Sequence, residues 1–234
     1  MMRRRRFLLG AAAAGASSAL AACGWRGGPA GGLLERVSRV NDGVSGTLFS
    51  HRLAKTYPES RRTPSSHFPS YYVTEGGVPM LKEPSRWTLS VGGLVRRPAT
   101  LTLDQVKALP RLSYTVKHHC VEGWTAIASW SGARLEALAE RVEPLPGARY
   151  VNFRSFDAGY SNGWDMASAL HPQTILAYAF NDRELMPDHG APLRLYSPTK
   201  LGYKLTKYLY AIEFTGERPG GYWEDQGYPW FGGL

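Results

Sequence analysis

From residue 71 onward the chain alternates short strand-like and short helix-like segments, and this alternation restricts the folds open to it. The clearest strand is 208–215, where two sets of side chains alternate with a period of two. The clearest helix start is the capping box Thr102–Gln105, and the helix that it opens stops at Pro110. The segments follow no strand–helix–strand rhythm. The pattern predicts a single α+β domain with a mixed, mostly β sheet and short helices, not a doubly wound fold.

Other segments fit the same fold. Leu135, Leu138 and Val142 share one face of a predicted helix, and Asp165 is placed to cap a small helix that ends at Pro172. Further strands are predicted at 87–91, 113–119, 150–153 and 175–180, and around 193–195. The sequence has neither a GxGxxG run nor a Walker loop, so no motif supports nucleotide binding.

The N-terminus has the pattern of an export signal. Arg3 to Arg6 precede a short, alanine-rich apolar stretch that ends at Ala22 and is too short to span a bilayer stably. The arginine run followed by Phe7 resembles a twin-arginine signal, with an ordinary secretory signal as the alternative. We therefore expect residues 1–22 to be a signal peptide and the protein to be periplasmic or in the cell envelope.

Cys23 follows Leu20, Ala21 and Ala22, as the acylated cysteine of a bacterial lipoprotein would. The alternative is simple cleavage after a run of small residues. A lipid on Cys23 is the only membrane attachment that we predict. Residues 23–67 are interpreted as a tether and N-terminal wrapping segment, Gly-rich over 24–34 and irregular from 35, with one short helix at most. The catalytic domain is expected to span 68–234.

Composition excludes some functions. With 43% hydrophobic and 12% aromatic residues, the chain is typical of a globular protein. Loss of residues 1–22 removes four arginines and no acidic residue, so the formal charge falls from +9 to +5. That charge is too small to indicate nucleic-acid binding by itself. No nucleic-acid partner is predicted, and a monomer is expected.

Cys120 is the residue that most needs an explanation. The chain has two cysteines, and if Cys23 is processed, Cys120 has no disulfide partner. An unpaired thiol in an oxidising compartment indicates a metal ligand, a nucleophile with His189 or His119 as its base, or a buried bystander. Zinc and iron–sulfur clusters need more ligands of this kind than the chain supplies. A metal that brings its own ligands, such as molybdenum on the dithiolene of a pterin, needs only one thiolate.

Four sequence blocks carry a resemblance to a known family. They are HCVEGW at 119–124 with WSG at 130–132, WTLSVGGLV at 87–95 with Pro98, HGAPLRL at 189–195 with GYK at 202–204 and Lys207, and GYWE at 221–224 with GY at 227–228. In this order they resemble the sulfite oxidase-type molybdopterin-dependent oxidoreductases, over residues 68 to 230. The resemblance implies that family's fold and a molybdenum–molybdopterin cofactor.

The resemblance also implies roles for individual residues. Cys120 would bind molybdenum and carry the catalysis, while Arg194, Lys204 and Lys207 would hold the phosphate of the pterin. Gly202 would let the backbone approach that phosphate. The full set of cofactor-binding positions implied is Tyr72, Val73, Thr74, Ser155, Asp157, His189, Arg194, Gly202, Lys204, Thr206 and Lys207.

Two departures from the family pattern bear on the substrate. Sulfite-oxidising members have paired arginines after the metal-binding cysteine, whereas this chain has 121–126 as VEGWTA. They also have an Arg-Asn-His run where this chain has 74–76 as TEG. An anion such as sulfite would need those cations, so the sequence is more similar to the periplasmic methionine-sulfoxide reductase catalytic subunits.

That similarity implies an exported enzyme of two-electron oxygen-atom transfer, reducing sulfoxides or N-oxides. The same similarity implies a membrane haem or quinol partner as the source of electrons. The chain has no Cys-x-x-Cys-His run for haem attachment, so any haem would lie on another chain. Two alternatives stay open from the sequence. One is a thiol hydrolase that uses Cys120 with His189, and the other is a non-catalytic lipoprotein that binds a pterin or another ligand.

Overall fold

The computed structural model describes residues 29–48, 52–75 and 77–234. The described residues divide between two compact units, with the boundary between Thr47 and Leu48. The predicted signal peptide, the candidate lipid site at Cys23 and the tether over 24–28 lie outside the described residues and stay predictions. Within the described residues, no helix has the length and apolarity needed to cross a membrane.

Helix α1, Pro29–Leu48, is 20 residues long, and all of it except Leu48 belongs to the first unit. The prediction of one short helix at most over this part of the chain is therefore wrong. Val37, Val40 and Val44 recur at a helical spacing, and this periodicity outweighs the glycines that suggested a tether. All three valines are exposed.

The second unit is a mostly β domain with short helices, so the predicted fold class is confirmed. Its described residues form ten strands: β1 Thr88–Gly93, β2 Ala99–Thr102, β3 Arg111–His119, β4 Thr125–Arg134, β5 Tyr150–Ser155, β6 Ser161–Asp165, β7 Ile175–Phe180, β8 Arg183–Glu184, β9 Arg194–Tyr196 and β10 Leu209–Thr215. Three α-helices accompany them: α2 Leu103–Lys107, α3 Leu135–Val142 and α4 Met166–Ala169.

The strands form two five-stranded sheets. The first has the order β2-β1-β10-β5-β6, in which β1 and β10 are parallel and the other pairs are antiparallel. The second has the order β3-β4-β7-β8, with β9 also paired to β7. One hydrophobic core joins them, since Phe153 of β5 and Trp130 of β4 belong to the same buried cluster. The first sheet is therefore mixed, as predicted, and the second is antiparallel throughout.

Local signals in the sequence have the expected structural outcome. Thr102 Oγ1 accepts a hydrogen bond from the Gln105 backbone, and the Gln105 side chain accepts one from the Thr102 N–H, which confirms the capping box. Asp165 caps α4 through the N–H of Ser168 at 2.8 Å. Asn181 and Asp182 both have positive φ in the turn between β7 and β8.

The hairpin of β3 and β4 positions Cys120. β3 runs to His119, and the loop 120–124 connects it to β4. On the other side of β4, Gly132 lies so close to β7 that an added Cβ would be 2.2 Å from the Leu176 carbonyl oxygen. β4 therefore needs glycine at this point, where its pairing with β7 shifts register.

Candidate active site

A single cleft brings together most of the residues that the sequence singled out. Its empty volume is about 950 Å³, counted out to the solvent at its mouth. The walls come from residues 68–73, the hairpin loop after β3, the turn between β5 and β6, the segment 189–207 and the C-terminal residues Trp223 and Tyr228. Cys120 and Arg194 both line it, so the arrangement that the resemblance requires is present.

Cys120 is presented by a short, well-bonded loop. Its N–H donates to the Trp124 carbonyl at 3.0 Å, and its own carbonyl accepts from the Gly123 N–H at 3.2 Å. Gly123 has a φ of 90°, in the left-handed region that glycine adopts without strain. Because both ends of the loop are tied to the hairpin, the thiol has a fixed place at the cavity wall.

A carboxylate lies beside the thiol. Glu122 Oε2 is 3.8 Å from Cys120 Sγ, and it accepts a hydrogen bond from Trp124 Nε1 at 3.2 Å. Burial raises the pKa of the Cys120 thiol, and the nearby Glu122 charge raises it further. An activated nucleophilic cysteine needs the opposite shift, so this environment does not favour the thiol hydrolase. A bound cation would reverse the balance, because a metal stabilises the thiolate.

His118 forms the wall behind the thiol. Its ring stacks on Trp124 and Tyr196, with centroids 5.3 Å and 6.0 Å away. Burial, with the charge of Arg194, lowers the pKa of His118 to about 3, so this imidazole is neutral at physiological pH. Its Nδ1 is buried and has no partner among the described residues. Gly202 lies opposite, and a Cβ added there would be 3.1 Å from His118 Nε2.

Arg194 is the main cation of the far end of the cavity. Its side chain is buried, and its two terminal nitrogens donate to the carbonyl oxygens of His189 at 2.9 Å and Leu205 at 3.2 Å. Nε is buried without a partner in the described part of the chain. Burial lowers the pKa of Arg194 to about 10, which still leaves the guanidinium charged at neutral pH. Among the described residues no carboxylate pairs with it.

Lys207 adds a second cation to the same end. Its ammonium donates to the Asp188 carbonyl at 3.0 Å and to Ser70 Oγ at 3.2 Å. Burial, and then the charge of Arg194, lower the pKa of Lys207 to about 7. The same two causes lower the pKa of His189 to about 4. The positive potential that produces these shifts is what a buried anionic group such as a phosphate requires.

Asp157 has a role that the sequence did not indicate. Its carboxylate accepts the backbone N–H of Val73 at 2.7 Å and of Thr74 at 2.6 Å, together with the Thr74 hydroxyl at 2.6 Å. The Asp157 N–H donates in turn to Ser155 Oγ at 2.9 Å. Asp157 therefore holds the strip 72–74 against the β5–β6 turn, and its oxygens are already engaged by that strip.

Lys204 and Thr206 do not line the cavity. Lys204 is fully buried, and its ammonium donates to the Gly163 carbonyl at 2.9 Å and forms an ion pair with Glu224. Thr206 is also fully buried. Thr74 is engaged by Asp157 and is not part of the wall either. The predicted positions that do line the cavity are Tyr72, Val73, Cys120, Ser155, Asp157, His189, Arg194, Gly202 and Lys207.

Several wall residues were not predicted as site residues. Trp124 and Tyr228 stand inside the sequence blocks quoted above, so their blocks were the available signal. Phe68 and Tyr160 lie outside those blocks, and no local pattern identifies them. Phe68 packs edge-on against Trp124 and His189, with ring centroids 5.7 Å and 5.5 Å away, and so spans the two ends of the cavity.

The residues present fit a molybdenum–pterin group in three respects. Cys120 supplies one soft ligand, and no cluster of three or more His, Cys, Asp or Glu side chains suited to a metal occurs in the described residues. Arg194 offers a buried, unpartnered N–H at the cationic end. The absence of a side chain at Gly202 keeps space open beside His118. The three features belong to one cavity.

Comparison with known proteins also indicates a molybdopterin-binding oxidoreductase. The model of the oxidoreductase molybdopterin binding domain family matches residues 75–223. A protein from Azospira oryzae, provisionally named protein-methionine-sulfoxide reductase subunit YedZ1, is 41% identical over 98% of this chain and 87% of its own length. The oxidoreductase YuiH of Bacillus subtilis, described as uncharacterized, is 36% identical over 66% of this chain and 81% of its own.

Two further similarities cover less of the other protein. The protein-methionine-sulfoxide reductase catalytic subunit MsrP of Campylobacter jejuni is 32% identical over 59% of this chain, which spans about half (52%) of MsrP. The crystal structure of the sulfane dehydrogenase SoxCD from Paracoccus pantotrophus superposes with a TM-score of 0.58 at 19% identity, over 72% of this chain and 46% of that one. At that identity the likeness is one of fold.

Proposed function

We propose that this chain, which belongs to the oxidoreductase molybdopterin binding domain family, is the catalytic subunit of an exported enzyme that reduces methionine sulfoxide in proteins. As a member of that family the chain is an oxidoreductase. The substrate class is supported by similarity, along almost the full length of this chain, to a protein provisionally named as a protein-methionine-sulfoxide reductase subunit. Reduction of a sulfoxide takes two electrons and two protons and gives the sulfide and water.

The observation that carries the proposal is the division of the cavity into two ends. A lone thiol stands at one end, and the buried Arg194 and the half-buried Lys207, which form no salt bridge among the described residues, stand at the other. In this arrangement Cys120 would hold molybdenum as a thiolate, and Arg194 and Lys207 would hold the phosphate of the simple form of molybdopterin. When bound, that cofactor supplies two-electron oxygen-atom chemistry, and the protein supplies orientation and electrostatics.

The surroundings of Cys120 favour a neutral substrate over an anion. Glu122 places a carboxylate 3.8 Å from the thiol, and an anion such as sulfite would be repelled there. The exposed rim of the cavity is apolar and aromatic, with Tyr71, Val121 and Tyr228 at its edge. A methionine sulfoxide side chain has a neutral polar head and an apolar stem, which suits a polar floor with an apolar rim.

Glu122 is the residue we assign to proton supply. Its Oε2 contacts both the Cys120 thiol and Trp124 Nε1, so this carboxylate could pass a proton from solvent to a substrate bound beside the thiol. General acid catalysis by a positioned carboxyl group contributes about 10²–10⁴-fold to a rate. The Trp124 hydrogen bond fixes the orientation of this carboxyl group.

Export and electron supply complete the proposal. We infer a twin-arginine signal in residues 1–22, a periplasmic or cell-envelope location, and a lipid on Cys23 as the anchor. The electrons would come from a membrane-bound haem or quinol-linked partner. The sequence pattern of the N-terminus supports export and the lipid. The similarity to proteins named as subunits of methionine-sulfoxide reductases supports a separate partner that supplies electrons.

The test is to express the full chain with its signal in a bacterium that makes molybdopterin, and to measure bound molybdenum, bound pterin and turnover. With a reduced dye as donor, we expect reduction of methionine sulfoxide in an oxidised protein and no oxidation of sulfite. Purified protein without molybdenum would overturn the cofactor assignment. Molybdenum and pterin retained without turnover of any sulfoxide or N-oxide would instead support the non-catalytic binding protein.

A further inference from the structure

A cluster of cations surrounds one aromatic ring beside strand β3. The side-chain nitrogens of Lys55 and Lys117 lie 5.5 Å and 5.9 Å from the centre of the Tyr57 ring, and the Arg61 guanidinium carbon lies 5.6 Å from it. Lys55 and Arg61 are exposed, and Tyr57 and Lys117 are half-buried. We call Lys55, Tyr57, Arg61 and Lys117 the basic patch.

In the described part of the chain, no acidic side chain pairs with the basic patch. Within the described residues, none of its three cations forms a salt bridge. The carboxylate of the same turn, Glu59, is engaged by Arg62 at 3.0 Å, and Arg62 also pairs with Asp182. Three positive charges held around one ring repel each other, and an anionic partner would relieve that repulsion.

The backbone fixes the patch against the strand that leads to the thiol. The Tyr57 N–H donates to the Thr115 carbonyl of β3 at 2.8 Å, and Thr56 bridges Val116. Lys117 lies on β3 itself, three residues before Cys120, or on the order of 10 Å along an extended strand. His119 shares the Lys117 face of the strand, whereas His118 points to the cavity.

We propose that the basic patch is the docking surface for an acidic, solvent-exposed face of the electron partner, which delivers one electron at a time and supplies the reductant for this site. The inference rests on the proposed function, because each sulfoxide reduced to sulfide and water consumes two electrons and two protons. Two encounters with a one-electron carrier supply the electrons, and solvent supplies the protons. A tyrosine among arginine and lysine side chains is typical of residues that dominate protein interfaces, with the charges steering the encounter.

An anionic membrane surface would also be attracted to three cations. The structure favours the protein carrier, because the patch adjoins the strand that carries Cys120 and has an aromatic ring at its centre. A membrane surface needs charge alone and gains nothing from the nearness to the thiol. The membrane is therefore an outcome of the test and not part of the proposal.

The experiment compares the wild-type holoprotein with the triple variant Lys55→Gln, Arg61→Gln, Lys117→Gln. The probe carrier is reduced flavodoxin, an acidic one-electron protein, and the reference donor is reduced benzyl viologen. The control variant is Arg96→Gln, Arg97→Gln, Arg141→Gln, which removes the same charge from exposed sites away from β3. Thermal unfolding of all three proteins checks that they are folded.

We expect the triple variant to lose about 10-fold in kcat/KM for flavodoxin at low ionic strength, with the difference shrinking as salt is added. Turnover with benzyl viologen and the KM for sulfoxide should stay at the wild-type values, and the control variant should keep its flavodoxin rate. Equal loss with both donors, or equal loss in the control variant, would overturn the proposal. Binding to anionic vesicles that is lost in the triple variant, with an unchanged flavodoxin rate, would overturn it in favour of a membrane contact.

Direct binding separates this inference from the proposed function. Chemical shifts of ¹⁵N-labelled oxidised flavodoxin, titrated with each variant, report complex formation whether or not the protein turns over sulfoxide. Weaker binding by the triple variant than by the control supports the patch even if the sulfoxide assignment fails. Equal binding by the two variants rejects the patch even if the dye-linked reduction succeeds.

Discussion

The two ends of the cavity differ in charge, burial and construction. The thiol end is carried by one hairpin loop, is half-exposed, and sets a carboxylate next to Cys120. The cationic end is assembled from separate segments, and its Arg194 is buried with only carbonyl partners for its terminal nitrogens. The thiol end suits a substrate that binds, reacts and leaves. The cationic end suits an anionic group that stays bound.

Two neighbouring lysines show where this protein leaves a positive charge without a carboxylate partner. Lys204 and Lys207 are three residues apart, yet Lys204 is matched by the buried carboxylate of Glu224, while Lys207 is met by a carbonyl and a hydroxyl. A cation withdrawn from water without a salt-bridge partner is costly, and the cost is recovered when an anion binds. The uncompensated cations therefore mark the ligand site, and the compensated one marks the scaffold.

The sharpest test acts on the thiol end alone. Cys120→Ser should lower turnover by more than 100-fold, since changes to outer partners of a metal ligand already cost about 10–100-fold. Steady-state kinetics with a dye donor measures the loss, and molybdenum and pterin are analysed separately. If the two ends act as described, the variant keeps more pterin than molybdenum. Equal loss of both would show that the thiol also anchors the organic part.

Lys204, the lysine that is paired with Glu224, should affect the stability of the folded protein. Lys204→Met leaves the Glu224 carboxylate buried without its partner, so we expect the free energy of unfolding to fall by about 3–5 kcal/mol. Urea unfolding of the apoprotein measures it. The matched control is the double variant Lys204→Met, Glu224→Leu, which removes both charges and should recover much of the loss. A stable Lys204→Met protein that fails to retain pterin would break the distinction between the two lysines.

At the cationic end, the shape of the guanidinium should matter as well as its charge. Arg194→Lys keeps a cation but loses the fork that bonds the carbonyls of His189 and Leu205. We expect pterin retention to fall by about 10-fold or more, with a smaller effect on the sulfoxide KM. Retention is measured by pterin fluorescence after dialysis. A rise in KM with full retention would place Arg194 at the substrate instead.

The smallest effect concerns pH. In the apoprotein the pKa of Lys207 is about 7, lowered from 10.5, so its positive charge is lost as pH rises through 7. Affinity for an anion at this end should therefore fall by a few-fold to about 10-fold between pH 6 and pH 8.5. Sulfate, which keeps its charge in this range, is titrated by its effect on the unfolding temperature.

The control for that titration is Lys207→Met, which should bind sulfate more weakly and with little dependence on pH. The same shift has a consequence for stability. Because the unfolded chain holds the Lys207 proton up to about pH 10.5 and the folded chain does not, this group makes the apoprotein more stable as pH rises above 7. A falling unfolding temperature over that range in wild type, but not in Lys207→Met, would contradict the assignment.

How much the sequence could predict depends on how far apart the interacting residues are. The capping box at Thr102, the strand 175–180 and the thiol at the end of β3 are encoded locally, and they were predicted from spacing. Lys204 and Glu224 are 20 residues apart, and no periodicity in the sequence connects them. The ion pair was therefore not predicted, and Lys204 was assigned to the pterin phosphate from its position in a family block. Asp157 does line the cavity, but the hydrogen bonds by which its carboxylate secures 73–74 join distant residues and were not predicted.

Helix α1 shows a limit of a different kind. Glycines at 31 and 32 suggested a tether, because glycine weakens a helix by up to about 1 kcal/mol per residue. The apolar spacing of Val37, Val40 and Val44 was the stronger signal and was not weighed. Composition and periodicity pointed in opposite directions over this segment, and periodicity gave the right answer.

His118 gives the site a hydrogen-bonding property that does not depend on charge. A neutral imidazole carries a single proton on either of two nitrogens, and here neither choice is dictated by a protein partner at Nδ1. With Nε2 facing the gap at Gly202, the ring can offer a lone pair on one side and an N–H on the other, or the reverse. A molecule that bonds to Nε2 would select the tautomer, so the ring can meet either a donor or an acceptor there without moving an atom heavier than hydrogen.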